Sequence, residues 1–386
     1  MTALNNKTIL LLSPQSWGKM FISKHHYAVE LARRGNRVYF LNPPGEGHQS
    51  DKRVAIDPLP GVEGLFLVTH RLYFPYNLKF HAPRIFHWLM RRQVSNILRA
   101  IGVTPDIIWS FDLNHMYPLS FFGNGTYKIF HPVDEPLNKA ALASGLGADI
   151  VFSVTEEILE KYGHLNVSRH FINHGVAESF LKPAERSLSG NGPIRVGFSG
   201  NLLRKDIDRE VLMEIIQRHP SVEFHFWGSY SSSQANIGGG EDRATQDFVT
   251  TLRSSGNTVL HGAVPSQELA RAIHGMNAFL ICYDIQKDQS GGTNYHKIME
   301  YLCTGKVIVS NNITTYKDKP ELVQMVKERD NNRQLPALFS EVILHLDEYN
   351  SEPLQQQRIA FATANTYARQ LERIEQMCNF KALATL

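Results

Sequence analysis

Asp284-Ile-Gln-Lys-Asp-Gln-Ser-Gly-Gly-Thr-Asn-Tyr-His-Lys-Ile-Met-Glu-Tyr-Leu-Cys-Thr-Gly-Lys-Val-Ile-Val-Ser310 reads as a polar loop, then a helix, then a buried strand. The apolar run 278–283 in front of it is itself a strand. Two adjacent glycines therefore sit where a strand ends and a helix begins. Backbone N–H groups at a helix start are unpaired and carry partial positive charge, which suits a phosphate. Glu300 follows on the same helix. A carboxylate there accepts hydrogen bonds from a ribose or sugar diol. Phosphate and diol together describe a nucleotide site.

Outward from this stretch the chain alternates strands and helices twice. The first series has strands at 8–13, 37–41, 64–69, 106–111, 127–131, 149–154 and 170–173. Helices are expected at 24–34, closed by Gly35, and at 83–100 and 155–162. Ser153 and Glu156 have capping-box spacing. The stretch 182–193 has no hydrophobic period and is rich in breakers, so it reads as a linker. The second series has strands at 194–200, 222–227, 258–264, 278–283 and 307–310. Its helices are expected at 208–219, 243–254 and 266–276, besides the one carrying Glu300. Polar residues 229–241 read as a mobile loop, and after Ser310 the chain reads as helical, with 352–378 forming one helix or two. Alternation of this kind gives parallel sheets covered on both faces. The expected fold is α/β, with two Rossmann-like domains facing a cleft and ligands at the strand C-terminal ends. The expected division is 1–181, linker 182–193, domain 194–351 and helical tail 352–386.

Bulk composition agrees with two domains. The chain has 386 residues, 42% hydrophobic and 20% charged. Its 40 basic and 37 acidic residues leave a net charge of +3, which gives no argument for a nucleic-acid partner, and none is expected. Cys282, Cys303 and Cys378 lack metal-type spacing, and their odd number fits a reducing compartment. Residues 1–7 lack a signal-peptide pattern, and no apolar run is long enough to span a bilayer. A cytoplasmic location is expected by elimination.

Lys297-Ile-Met-Glu300-Tyr-Leu-Cys-Thr-Gly305-Lys306-Val-Ile-Val resembles the K-x-x-E-Y-x-x-x-G-K-x-x-V segment of GT-B glycosyltransferases of the family-4-like (group 1) type. The resemblance implies that this helix grips a sugar-nucleotide donor, with Glu300 on the ribose. Many members carry a second glutamate eight residues upstream, on the transferred sugar; here that position is Gly292. Phe198-Ser-Gly-Asn-Leu-Leu-Arg-Lys-Asp206 resembles the family's turn whose basic residues hold the donor diphosphate, and Arg204 and Lys205 match it. The expected donor site is Glu300, Arg204, Lys205, Gly292, Thr293, Asn294 and Lys297. Asn173-His174-Gly175-Val176 resembles the family's N-G-V segment, with a histidine inserted. His261-Gly262, at a strand end, points to the base pocket.

Other residues carry two readings. Asp206-Ile-Asp208 has D-x-D spacing for a metal, but that motif belongs to the GT-A fold, and Asp208 reads more simply as an N-cap. No metal and no cofactor is expected. The loop 14–27 lacks G-x-G-x-x-G, against a dinucleotide oxidoreductase. Trp17 and Gly18 offer a surface to a sugar, and Lys24, His25 and His26 start the helix. One of these histidines deprotonates an acceptor or donates to phosphate, or else His26 packs and His25 is solvated. His131 and Asp134 end a strand, as sugar partners or as turn chemistry. Acceptor-side candidates are thus Trp17, Gly18, Lys24, His131 and His174, and catalytic candidates are His25, His26 and Asp134. Residues 84–99 are basic with large apolar side chains, and 72–76 are aromatic. They read first as a helix covering the sheet and second as an interfacial segment making peripheral membrane contact.

The expected activity is metal-independent, hexosyltransferase-like transfer from a nucleotide-sugar to a hydroxyl of a saccharide or lipid-linked acceptor. The resemblance places it in bacterial polysaccharide or glycolipid assembly at the inner membrane face. Retention or inversion stays open; inversion requires a base. Two alternatives also stand: a sugar-nucleotide 2-epimerase of the same architecture, and a non-catalytic sugar- or nucleotide-binding partner.

Overall fold

The structure is a computed structural model that describes residues 4–18, 21–181, 192–231, 242–288, 290–378 and 380. Most of the expected linker and most of the expected 229–241 loop lie outside these residues. The chain forms two compact units, Met1–Asn173 with Tyr367–Leu386, and His174–Thr366.

In the first unit the strands are β1 Thr8–Leu12, β2 Arg37–Leu41, β3 Val54–Pro58, β4 Leu65–His70, β5 Ile107–Ser110, β6 Tyr127–Phe130, β7 Ile150–Ser153 and β8 Ser168–Phe171. They form one sheet in the order β3-β4-β2-β1-β5-β6-β7-β8, parallel except for the β3–β4 pair. The second unit has β9 Ile194–Ser199, β10 Val222–Trp227, β11 Thr258–Gly262, β12 Ala278–Ile281, β13 Val307–Ser310 and β14 Gln324–Met325. Their order is β11-β10-β9-β12-β13-β14, all parallel. These are the two Rossmann-like sheets expected.

The strand period shows directly in the first core. Ile9 and Leu11 face one layer, with Tyr27, Leu31 and Leu371; Leu10 and Leu12 face the other, with Phe86, Met90 and Ile97. Helix Pro83–Ile101 starts on its proline and ends on Gly102 at φ 77°, a left-handed cap that glycine takes without strain.

Some elements differ from expectation. β3 was not expected: it is a half-exposed edge strand ending in Asp57-Pro58, so its apolar alternation is weak. β14, two residues long, interrupts the region expected to be helical. Ser153 does not cap a helix; its hydroxyl donates to the Pro132 carbonyl, and Thr155 caps Glu156–Lys161 by accepting from the Ile158 N–H. The tail forms two helices. Glu352–Ala364 packs on Lys297–Leu302 in the second unit, and Tyr367–Met377 packs on Ser23–Arg33 in the first.

Candidate functional site

The second unit brings Arg204, Asp206, Asp288, Lys297 and Glu300 together beyond the C-terminal ends of β9 and β12. Helix Lys297–Leu302 lies over those ends and is held there by Tyr301. The Tyr301 hydroxyl accepts from the Ser199 N–H at 2.7 Å, and its ring stacks on Phe279 at 4.1 Å. Five of the six helix residues are buried, and Glu300 is the one that keeps contact with solvent. Glu300 is thus half-buried, the one acid of the helix within reach of a ligand.

Lys297 is the centre of the cluster. It is 6% exposed, donates to the Tyr283 hydroxyl, and lies 5.2 Å from the Phe198 ring centre. Burial pulls its pKa from 10.5 down to about 7, with Arg204 adding to that, while Glu300, Asp206 and Asp288 oppose it. Burial likewise pushes Glu300 from 4.5 up to about 7, and Lys297 draws it back. Space for the ammonium exists because position 200 is glycine: a Cβ there would stand 2.9 Å from both the Lys297 Nζ and the Tyr283 hydroxyl.

Arg204 is half-exposed and grips the buried Asp206 through two nitrogens, with Asp288 3.5 Å from Nη2. Lys205 is well exposed and pairs with Asp242 at 2.9 Å. Asp208 caps its helix by accepting from the Val211 N–H, and its other oxygen accepts from Asn332. Asp206 and Asp208 thus serve different partners.

Gly291 and Gly292 take φ 60° and 65°, which makes the turn expected after β12. Its donors point inward. Asp288 accepts from the N–H groups of Ser290 at 3.0 Å and Gly292 at 3.2 Å, and from the Tyr295 and Ser290 hydroxyls at 2.6 Å each. Thr293 N–H goes to the Ser290 carbonyl. The helix proper begins only at Lys297, so the expected positive pole at 293 is a turn folded around a carboxylate. Thr293 and Asn294 are buried in it. Asp288, Tyr283 and Tyr295 were not singled out from the sequence. The Asp288-x-Ser290 spacing, which favours an Asx turn, is the signal that carried Asp288.

In the first unit the expected residues meet at the ends of β1, β5 and β6. Lys24 is 1% exposed and donates to the Gln15 side chain; burial brings its pKa to about 8 against the pull of Asp134 and Asp112. His25 is buried, its Nδ1 accepts from the Ile22 N–H at 3.2 Å, and its Nε2 therefore donates to the Ser16 carbonyl at 3.1 Å. Burial lowers it to about 4, so the ring is neutral and both nitrogens are committed. This geometry gives His25 a structural task, tying Ser16 and Ile22 to the helix start, instead of the expected base. His26 stacks on Tyr367 at 4.6 Å. Trp17 packs edge-on against Phe40 and His25, while Gly18 is exposed. His131 is fully enclosed by Tyr27, Trp109, Phe111 and Phe152, and burial followed by the Lys24 charge lowers it to about 3. Neither of its ring nitrogens has a partner among the described residues. Asp134 is exposed. His174, expected on the acceptor side, falls in the second unit, where its ring lies 6.2 Å from His296.

Solved structures share this fold. Sucrose-phosphate synthase from Thermosynechococcus elongatus matches with a TM-score of 0.71 at 14% identity, covering 98% of this chain and 100% of that one. An E. coli trehalose-6-phosphate structure bound with UDP-2-fluoro glucose matches at 0.67 and 12%, covering 98% and 99%. Anabaena HepE in complex with UDP and glucose matches at 0.65 and 12%, covering 99% and 100%. At these identities the likeness shows the fold alone, the GT-B fold with its two Rossmann-like domains. No family model and no curated protein matches the chain.

Proposed function

We propose that this chain is a glycosyltransferase that moves a sugar, of hexosyl type, from a nucleotide-sugar donor to a hydroxyl. The observation that carries the reading is Glu300. It is half-buried where the other five residues of its helix are buried, and it lies beside a buried lysine that also feels Arg204. Glu300 takes the ribose diol, and Arg204, Lys205 and Lys297 take the diphosphate, whose charge grows as the sugar leaves. Protein cations then do the work of a metal, so the reaction is metal-independent and needs no cofactor. The 292–294 turn closes the donor site. UDP-sugar or UDP with glucose in two structures of the same fold supports a donor of that class.

The acceptor is a saccharide or lipid-linked hydroxyl on the first unit, near Gly18, Lys24 and Asp134. With His25 committed to the loop, Asp134 is the base if the reaction inverts. The family-4-like resemblance of the Lys297–Val309 segment supports a role in bacterial polysaccharide or glycolipid assembly. Its site is the cytoplasmic membrane face, with peripheral contact through 72–99. The test is a thermal-shift screen across UDP-, GDP-, dTDP- and CMP-sugars. One class stabilises the chain, and Glu300→Ala abolishes the shift. Stabilisation by none, or an unchanged shift in the variant, removes the reading.

A further inference from the structure

The helix Pro83–Ile101 buries Phe86, Met90, Val94, Ile97 and Ile101 against the first sheet, which is the covering role expected. Its outer side is basic, but it also exposes large apolar side chains. Ile85 is 54% exposed and Trp88 52%, and on the preceding short helix and loop Phe80 is 69%, Tyr76 46% and Tyr73 38% exposed. These rings connect. Tyr73 touches Phe74, Phe74 touches Phe86, Phe86 touches Tyr76, and Tyr76 touches Phe80. The Tyr73 hydroxyl donates to the Leu89 carbonyl, which ties the loop to the helix turn that carries Trp88. A chained apolar surface of this size on one unit is unusual without a partner.

The charges are as one-sided as the rings. Residues 64–105 contain Arg71, Lys79, Arg84, Arg91, Arg92 and Arg99 and no Asp or Glu, in a chain whose acids and bases nearly balance. The cations sit on the exposed rings. The Arg92 guanidinium lies 3.7 Å from the Trp88 ring centre, the Arg53 guanidinium 5.3 Å from Tyr73, and the Lys79 ammonium 5.6 Å from Tyr76. Aromatic rings bearing cations suit the headgroup level of a bilayer, where ring and charge are both satisfied. A second copy of this chain would bring the same excess positive charge against itself. No helix among the described residues is long and apolar enough to cross a membrane.

We propose that the outer surface of residues 71–101, with Phe80, Trp88, Arg84, Arg91 and Arg92 at its centre, docks on an anionic lipid bilayer. This deepens the membrane part of the proposed function and rests on it.

The test sediments the full chain with vesicles of phosphatidylcholine alone and of phosphatidylcholine mixed with phosphatidylglycerol, at low and high salt and without nucleotide-sugar. Binding is expected only to the anionic vesicles, and weaker at high salt. Phe80→Ser with Trp88→Ser, and separately Arg91→Glu with Arg92→Glu, should each weaken it by about tenfold or more. All four side chains are exposed, so unchanged melting temperatures are expected for both variants. The proposal is overturned if the wild type ignores anionic vesicles, or if both variants bind as it does. It is equally overturned if the wild type is a dimer that the Phe80/Trp88 variant converts to monomer, which assigns the face to a second copy. Nucleotide-sugar binding on the same samples separates the two readings. Donor binding without vesicle binding removes the membrane contact and leaves the sugar-transfer reading standing, and the reverse removes the sugar-transfer reading alone.

Discussion

Lys297 donates to the hydroxyl of Tyr283 and hangs over that ring, with its ammonium 4.7 Å from the ring centre. The charge is kept in a place that resists it. Its pKa is lowered from 10.5 to about 7 by burial and by Arg204. Between these values the unfolded lysine holds its proton and the folded one releases it, so stability rises with pH across that window and the charge costs most below about 7. Lys297→Met keeps the stem and removes the charge. Thermal melts across pH should show a higher melting temperature near neutrality and a flattened slope toward alkaline pH. Titration with the stabilising nucleotide-sugar should show affinity reduced by about tenfold or more.

Glu300 predicts a pH dependence of opposite origin. Only the carboxylate form accepts two hydrogen bonds from a diol, and burial has pushed the group from 4.5 up to about 7. Rising pH through that value fills the accepting form. Lys297 titrates in the same range, so the useful quantity is the ratio of wild-type affinity to that of Glu300→Gln. That ratio should climb through about pH 7 and level off above it, reaching roughly 10- to 100-fold. Calorimetric titration at several pH values measures it, and a flat ratio removes the ribose contact.

Periodicity in the sequence carried most of the fold, because most of the strands are short, buried apolar runs. Arg37–Leu41, Val222–Trp227 and Val307–Ser310 have the bounds expected of them. β3 escaped because a half-exposed edge strand with Asp57-Pro58 has no apolar run to read. At the site, residue type showed which chemistry was present and not how deep it lay. His25 and Glu300 are both titratable residues at a helix over strand ends, and only packing separates the one sealed beneath Trp17 and Phe40 from the one left open. The Asp288 carboxylate that folds the glycine turn was equally present in the sequence. Its role depends on Tyr295 folding back seven residues on and on Arg204 arriving from far along the chain, which spacing alone does not reveal.

Asp288 is the group on which the donor-side turn is built. Burial opposes its charge, yet bonds from Ser290 and Tyr295 and the Arg204 charge hold it below the usual carboxylate range. Because the folded pKa is depressed, its contribution to stability is fully present above the unfolded value and is lost as pH falls through the folded one. Asp288→Asn turns an acceptor oxygen into a donor facing other donors. It should cost about 2–4 kcal/mol in urea unfolding at neutral pH, with less loss of stability on acidification than the wild type shows. Nucleotide-sugar affinity should fall with it, since the 290–295 turn lies between Asp288 and the helix of Glu300.

His25 is the sharpest separation between chemistry and architecture. A catalytic base needs a nitrogen lone pair open to the acceptor, and here Nδ1 takes the Ile22 N–H while Nε2 donates to Ser16. Its ring also stacks on Phe40 at 5.1 Å, so Phe fits the same slot but makes neither hydrogen bond. His25→Phe should therefore cost about 1–3 kcal/mol of stability and leave kcat within a few-fold of wild type, where loss of a base costs about a hundredfold or more. The pH signature has a definite sign. Burial lowers the folded pKa from 6.5 to about 4, so stability is full above 6.5 and is lost as pH falls toward 4, where the unfolded ring is charged and the folded one is not. The Phe variant should lack that loss. Turnover falling a hundredfold at unchanged stability would return His25 to the reaction.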